Sequence, residues 1–175
     1  PGTQSFHAAI PGDTVQISAL ATGASREFAV EGDVLVMDDP TGAFDFPDGD
    51  WTLSLWVRPD AVDTEGFQVV LTTAESPWDE GVMVYMNPDI GMNWTAAVRG
   101  PDDSGGVLYQ GVPATQGEWQ HLVIRRSGNE VRLWGGGAEL VASGRSIDGT
   151  LTSTATPRLG PAPEFASIPY VGGLA

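Results

Sequence analysis

The 175-residue chain has no cysteine. Disulfides, thiolate metal sites and a cysteine nucleophile are therefore excluded. It also has no lysine, its basic residues being Arg26, Arg58, Arg99, Arg125, Arg126, Arg132, Arg145 and Arg158. Nowhere do about 18 apolar residues run together, and the opening "PGTQSFHAAIPGD" lacks a basic start followed by an apolar stretch, so neither a membrane span nor a signal peptide is expected. The nucleophile elbow G-x-S-x-G, a phosphate loop, H-E-x-x-H and a dinucleotide-type glycine motif leading into a helix are all missing. Acidic residues number 23 against 8 basic ones, a formal charge of −15. A surface of that sign repels phosphate backbones and anionic lipid, so nucleic acid and membrane surfaces are poor partners. Two readings of the acidity stand side by side: solubility in salt or coding bias, and binding of a divalent cation by clustered carboxylates.

What the chain does have is glycine and proline, 23 and 13 residues, spread evenly rather than gathered in a linker. That distribution suits many short strands with frequent turns, and no segment reads as a helix. "DTVQISAL" alternates Val15, Ile17 and Ala19 against Thr14, Gln16 and Ser18. "REFAVEGDVLVMDD" offers Phe28 and Val30, then Val34 and Val36, around a Gly32-Asp33 turn. The clearest strand is "WTLSLWVRPD", where Trp51, Leu53, Leu55 and Val57 face one way and Thr52, Ser54, Trp56 and Arg58 the other, with Pro59 closing it. "GFQVVLTTAE", "EGVMVYMN", "IGMNWTAAVRG" and "GVLYQGV" follow at short intervals. This spacing predicts one all-β domain over residues 1–175, a sandwich or barrel. Phe28, Val36, Leu53, Leu55, Val57, Val69, Leu71, Val84, Leu122, Ile124, Val131 and Leu133 are expected in or near its core.

"GEWQHLVIRRSGNEVRLWGGG" reads as a hairpin. Trp119 to Ile124 forms one strand, Ser127-Gly128-Asn129 turns, Glu130 to Trp134 returns, and Gly135-Gly136-Gly137 supplies positive φ for the next turn. His121 lies between Gln120 and Leu122 with no Ser, Cys or carboxylate close in sequence, so it reads as a strand residue rather than a catalytic base. Trp119, Leu122 and Leu133 read as sheet-packing residues.

The order of "WTLSLWVRPD", "WQHLVIRRSGNEVRLWGGG" and the late "YVGGLA", preceded by "EGDVLVMDDPTGAFDF", resembles the laminin G-like domains of the concanavalin A-like jelly-roll group, which are also related to pentraxins. The resemblance runs over about residues 28–175. It implies an antiparallel two-sheet β-sandwich of jelly-roll type. It departs from the family pattern in two places. Gly136-Gly137 stands where the family has Asp-Gly, and the closing strand stops at Ala175, which is expected to make the chain an excerpt of a longer polypeptide with neighbouring domains.

Domains of this group often hold one calcium ion, and the chain has hard oxygen ligands in "DVLVMDDPTG" and "DFPDGD". The candidates are Asp33, Asp38, Asp39 and Asp148, with Asp48 and Asp50 behind them. A sugar-binding reading rests on Trp78, Tyr85, Trp94, Tyr109 and Trp134, whose rings could face pyranoses unless they pack the core. Trp78, in the polar loop "ESPWDEG", is the best of these. Glucanases of this fold place their acid and nucleophile in an E-x-D-x-x-E strand, which is absent here. The expectation is a non-catalytic recognition or adhesion module, secreted or surface-exposed, binding glycan or a protein partner. The alternative is a structural domain of a surface layer, fibre or virion appendage, and a glycoside hydrolase or lyase is the weakest reading.

Overall fold

In this structure, a computed structural model, the described residues are 26–28, 34–37, 42, 44–62, 65–76, 78–108, 112–136, 138–139, 145–160, 167–168, 170 and 172–174. They contain β1 (Arg26–Phe28), β2 (Leu35–Val36), β3 (Trp51–Pro59), β4 (Phe67–Thr72), β5 (Gly81–Asn87), β6 (Asn93–Arg99) and β7 (Gly105–Leu108). The remaining strands are β8 (Gln120–Ser127), β9 (Glu130–Gly135), β10 (Ala138–Glu139), β11 (Arg145–Ser146), β12 (Arg158–Leu159), β13 (Ser167–Ile168) and β14 (Gly172–Leu174). Short 3₁₀ turns at Pro88–Ile90 and Pro101–Asp103 are the helical elements among these residues. The first sheet runs β1-β14-β3-β8-β9-β10, with β11 also on β9; the second runs β2-β12-β4-β5-β6-β7, with β13 on β4. All pairings are antiparallel except β13 with β4. The expected two-sheet sandwich is the observed one.

The alternation read in β3 sets the packing. Trp51, Leu53, Leu55 and Val57 are buried; across the ladder Leu53 and Leu55 meet Ile124 and Leu122 of β8, and Ile124 in turn meets Leu133 of β9, with Val131 in the same buried cluster. Their inward face packs on Val70, Val82, Val84, Met86, Trp94, Ala96 and Val98 of the second sheet in one continuous cluster. Each such aliphatic side chain contributes roughly 1.5–3 kcal/mol through burial.

Three expectations need correction. The strands expected on either side of Gly32-Asp33 go to different sheets: β1 pairs with β14 in the first, while β2 pairs with β12 in the second. Val36 is 54% exposed rather than in the core, because β2 is a two-residue edge strand that turns Met37 inward instead. Val69 is buried, but on the other side of its sheet. The ladder slips between Val69 and Leu71, so Val70 and Leu71 both join the main cluster. Val69 then packs with Met83, Tyr85 and Ala97 on the outer face. The side chain of Phe28 and the strand read in "DTVQISAL" lie outside the described residues.

The last strand is internal, Gly172–Leu174 pairing with β1 on one side and β3 on the other. Gly172 is required there. Its φ is +154°, and a Cβ would sit 2.1 Å from the Arg58 carbonyl oxygen.

Candidate functional site

The two outer faces differ. That of the second sheet is closed to solvent over its middle, where Val69, Met83, Tyr85, Thr95 and Ala97 are buried. On the first sheet, Thr52, Ser54, Trp56, Arg58, Trp119, His121, Val123, Arg125, Arg132 and Trp134 all retain exposure.

The register explains which groups meet on that open face. Trp56 stands opposite His121 and Ser54 opposite Val123; Val123 in turn opposes Trp134, and Arg125 opposes Arg132. Trp56 is 47% exposed, and its indole lies on the His121 ring with centroids 4.8 Å apart and planes 20° from parallel. Ser54 Oγ and His121 Nε2 are 2.8 Å apart, a hydrogen bond that fixes the imidazole under the indole. Trp119, 39% exposed, has the Arg58 guanidinium 5.3 Å from its ring centre, and that guanidinium also bonds Asp60 at 3.1 Å. Expected as a sheet-packing residue, Trp119 instead extends the open face, because it stands in the outward row with His121, Val123 and Arg125 while Leu122 and Ile124 point inward.

A Ser-His contact on an open sheet is not an assembled nucleophile. Among the described residues no carboxylate bonds the other ring nitrogen, and the amides of β3 and β8 facing one another are committed to the ladder. The arrangement holds two rings rigid at the surface.

Of the residues expected to bind sugar, Trp78 is 64% exposed, in the β4–β5 loop, with the Arg99 guanidinium 5.0 Å from its ring centre. The loop is held by Ser76 Oγ donating to Asp79 at 2.6 Å and accepting from the Trp78 amide at 3.2 Å. Tyr85 and Trp94 are corrected. Tyr85 is 3% exposed, edge-on to Phe67 at 5.6 Å, and Trp94 is wholly buried, its Nε1 donating to Gln120 Oε1 at 2.8 Å. Tyr109 lies outside the described residues, and Trp134 is half-buried on the open face.

Of the metal candidates, Asp33, Asp38 and Asp39 lie outside the described residues. Asp148 Oδ1 accepts from Asn129 Nδ2 at 2.8 Å, and Asp50 Oδ1 accepts from the Gly128 amide at 2.7 Å. Asp48 pairs with Arg126, which is fully buried and also donates to the carbonyls of Gly128, Gly149, Ile147 and Pro47. A guanidinium thus neutralises the point where carbonyls and a carboxylate converge. Among the described residues no group of three or more histidines or carboxylates is disposed to hold a metal ion.

The sequence carries a signal for Trp56 as well. Alternation already placed it with Thr52, Ser54 and Arg58, and an indole on a polar strand face is the signal that marks it.

Residues 12–173 match the family described as the concanavalin A-like lectin/glucanases superfamily, laminin G type 3. No curated protein sequence matches the chain. Among solved structures, Trypanosoma rangeli sialidase in complex with 2,3-difluorosialic acid is 17% identical with a TM-score of 0.52, over 73% of this chain and 20% of that one, a likeness of fold. The mouse laminin α1 chain domains LG4-5 are 16% identical with a TM-score of 0.46, over 91% and 42%. The botulinum neurotoxin serotype G binding domain is 10% identical with a TM-score of 0.48, over 92% and 45%. The chain thus spans less than half of each of these structures.

Proposed function

Because the chain belongs to the concanavalin A-like lectin/glucanase superfamily, we propose that it is a non-catalytic recognition module that binds glycan through the open face of its first sheet. One observation supports this most: Trp56, in mid-sheet, exposes 47% of its surface while His121 and Ser54 hold it in a fixed orientation. An exposed indole braced in this way offers an apolar plane flanked by hydroxyl, imidazole and guanidinium donors. That combination suits the apolar face and hydroxyl rim of a pyranose. Rigidity helps, since a preordered ring loses little entropy on binding. A non-catalytic role is part of the reading, supported by the missing glutamate pattern and by a Ser-His contact that has no partner carboxylate among the described residues. Work outside the cell, within a longer polypeptide, completes the proposal. Among the described residues no helix is long and apolar enough to cross a membrane.

A glycan array with Trp56→Ala as control is the test. Specific binding that is lost in the variant supports the reading. Silence across the array, with sedimentation showing self-association that Trp56→Ala abolishes, favours the assembly role instead. The exposed Trp78 ring over Arg99 is a second surface for the same assay, through Trp78→Ala. A calcium ion held in the 33–39 region remains part of the proposal on the resemblance alone.

A further inference from the structure

At the margin of the second sheet, where β2 meets β12, lies a cavity of about 470 Å³. Val36, Met37 and Pro157 give it apolar walls, Ser153 and Thr156 add polar groups, and Asp45 supplies its charge. Cavities of roughly 300–1,000 Å³ suit a small ligand or a long side chain. The Met37 amide donates to the Pro157 carbonyl at 2.8 Å, so two of the walls are fixed by backbone.

The two oxygens of Asp45 are placed differently. Oδ1 accepts from the Ser153 amide at 2.8 Å. Oδ2 has no hydrogen bond among the described residues, and Gly42 leaves it uncovered: at φ +67° this glycine has no Cβ, and one built there would lie 3.1 Å from that oxygen. One oxygen is anchored and the other is left to a ligand. The neighbouring Thr152 amide donates to Glu80 Oε1 at 2.7 Å, so two carboxylates are held on consecutive amides. Neither has an ion pair among the described residues. Arg158 stands across from Val36, but its Nε donates to the Thr156 carbonyl at 3.2 Å and it is not in the cavity wall. Like charges brought near each other without a counter-ion disfavour the folded state, and a bound cation relieves that cost.

The lip of the cavity indicates which cation. Among the described residues β2 ends its sheet, pairing with β12 alone, and Val34 and Val36 are exposed along it. An extended segment laid beside such an edge gains backbone hydrogen bonds and covers both valines, while every second side chain turns to the same side. A divalent ion needs several converging oxygens, and among the described residues no three carboxylates or histidines are so disposed. We infer that the cavity takes a lysine or arginine side chain from an extended basic segment of a partner protein, its stem against Val36, Met37 and Pro157 and its charged head on Asp45 Oδ2, with Glu80 drawing a further basic residue. A long basic side chain covers apolar wall with its stem and keeps its head on a polar group, which is what this lining offers. The formal charge of −15 attracts such a segment. None of these residues is on the open face of the first sheet, so the site stands or falls separately from the glycan reading.

The test is calorimetric titration of the protein with an alternating lysine–threonine hexapeptide, the same peptide acetylated on its lysines, putrescine and calcium chloride, for the wild type, Asp45→Asn and Asp89→Asn. Asp45→Asn keeps an oxygen for the Ser153 amide. Asp89→Asn removes the same charge from the turn between β5 and β6, at the other end of the second sheet. Near-ultraviolet circular dichroism verifies that both variants keep the fold. The lysine peptide is expected to bind, at least about tenfold more weakly in Asp45→Asn and within about twofold of wild type in Asp89→Asn. Acetylation should abolish binding, salt should weaken it, and putrescine should bind at least about tenfold more weakly than the peptide. Equal losses in the two variants would reduce the binding to net charge and overturn the site. Putrescine binding as tight as the peptide overturns the partner segment. Calcium heat that disappears in Asp45→Asn overturns the side-chain pocket in favour of a metal site. No heat with the lysine peptide overturns the inference outright, whatever the glycan array shows for Trp56→Ala.

Discussion

Arg126, fully buried, donates to Asp48 Oδ1 at 2.6 Å across a gap of 78 positions in the chain. The same guanidinium donates to the carbonyls of Pro47, Gly128, Ile147 and Gly149, so it ties the loop before β3 to the β8–β9 turn and the segment after β11. Arg126→Met leaves the buried Ile147 carbonyl and the part-buried carbonyls of Pro47, Gly128 and Gly149 without that donor and is expected to cost about 3 kcal/mol. Asp48 is mostly exposed, and Asp48→Asn should cost well under half as much. Urea unfolding of both variants checks the order; equal losses would contradict it.

Gly172 makes room for β14 between its neighbours. Gly172→Ala puts a methyl group against the backbone oxygen of Arg58 at a φ that side chains avoid. A loss of more than about 2 kcal/mol is expected, or a failure to fold. A melting temperature within a degree or two of wild type would contradict the placement of that strand.

The interior of the sandwich, with Trp94 on the second sheet, and the open face of the first sheet, with Trp56, should answer differently to truncation. Trp94→Ala empties a fully buried site and abandons the Gln120 bond, for about 3–5 kcal/mol. Trp56→Ala removes a ring in contact with water and should stay within about 1 kcal/mol. Thermal unfolding of the pair checks this, and a large loss in Trp56→Ala would mean that the ring supports the fold rather than a ligand.

How much of this was visible beforehand follows from where the information resides. The sandwich and the inward rows of β3, β8 and β9 could be read because period-two alternation and turn glycines are local signals; Gly128 and Gly136 do take positive φ, at 57° and 59°. The side on which Val69 packs could not be read, since a one-residue slip against β5 decides it and nothing in "FQVVLT" announces the slip. Nor could the burial of Tyr85: an aromatic in a strand looks the same whether its sheet face is open or covered. The His121 contact with Ser54 joins residues 67 positions apart, and only the β3–β8 register brings them together.

Calcium is expected to raise the melting temperature relative to a chelator through the 33–39 region, with the rise abolished in an Asp38→Asn, Asp39→Asn double variant. It should survive Asp148→Asn, whose carboxylate already holds Asn129. Bound ligand stabilises by its occupancy of the folded state alone, so a scan at saturating calcium is sensitive to it. Identical melting curves would remove calcium from the proposal.

On the proposed reading, the open face of the first sheet is where this protein meets a saccharide. The most direct measurement is the binding isotherm of wild type and Trp56→Ala against the best glycan from the array, made on samples of equal thermal stability. Affinity is expected to fall at least about tenfold in the variant, the loss of one anchoring aromatic. Unchanged affinity in Trp56→Ala would contradict it and move the site elsewhere, with Trp78 the next residue to truncate.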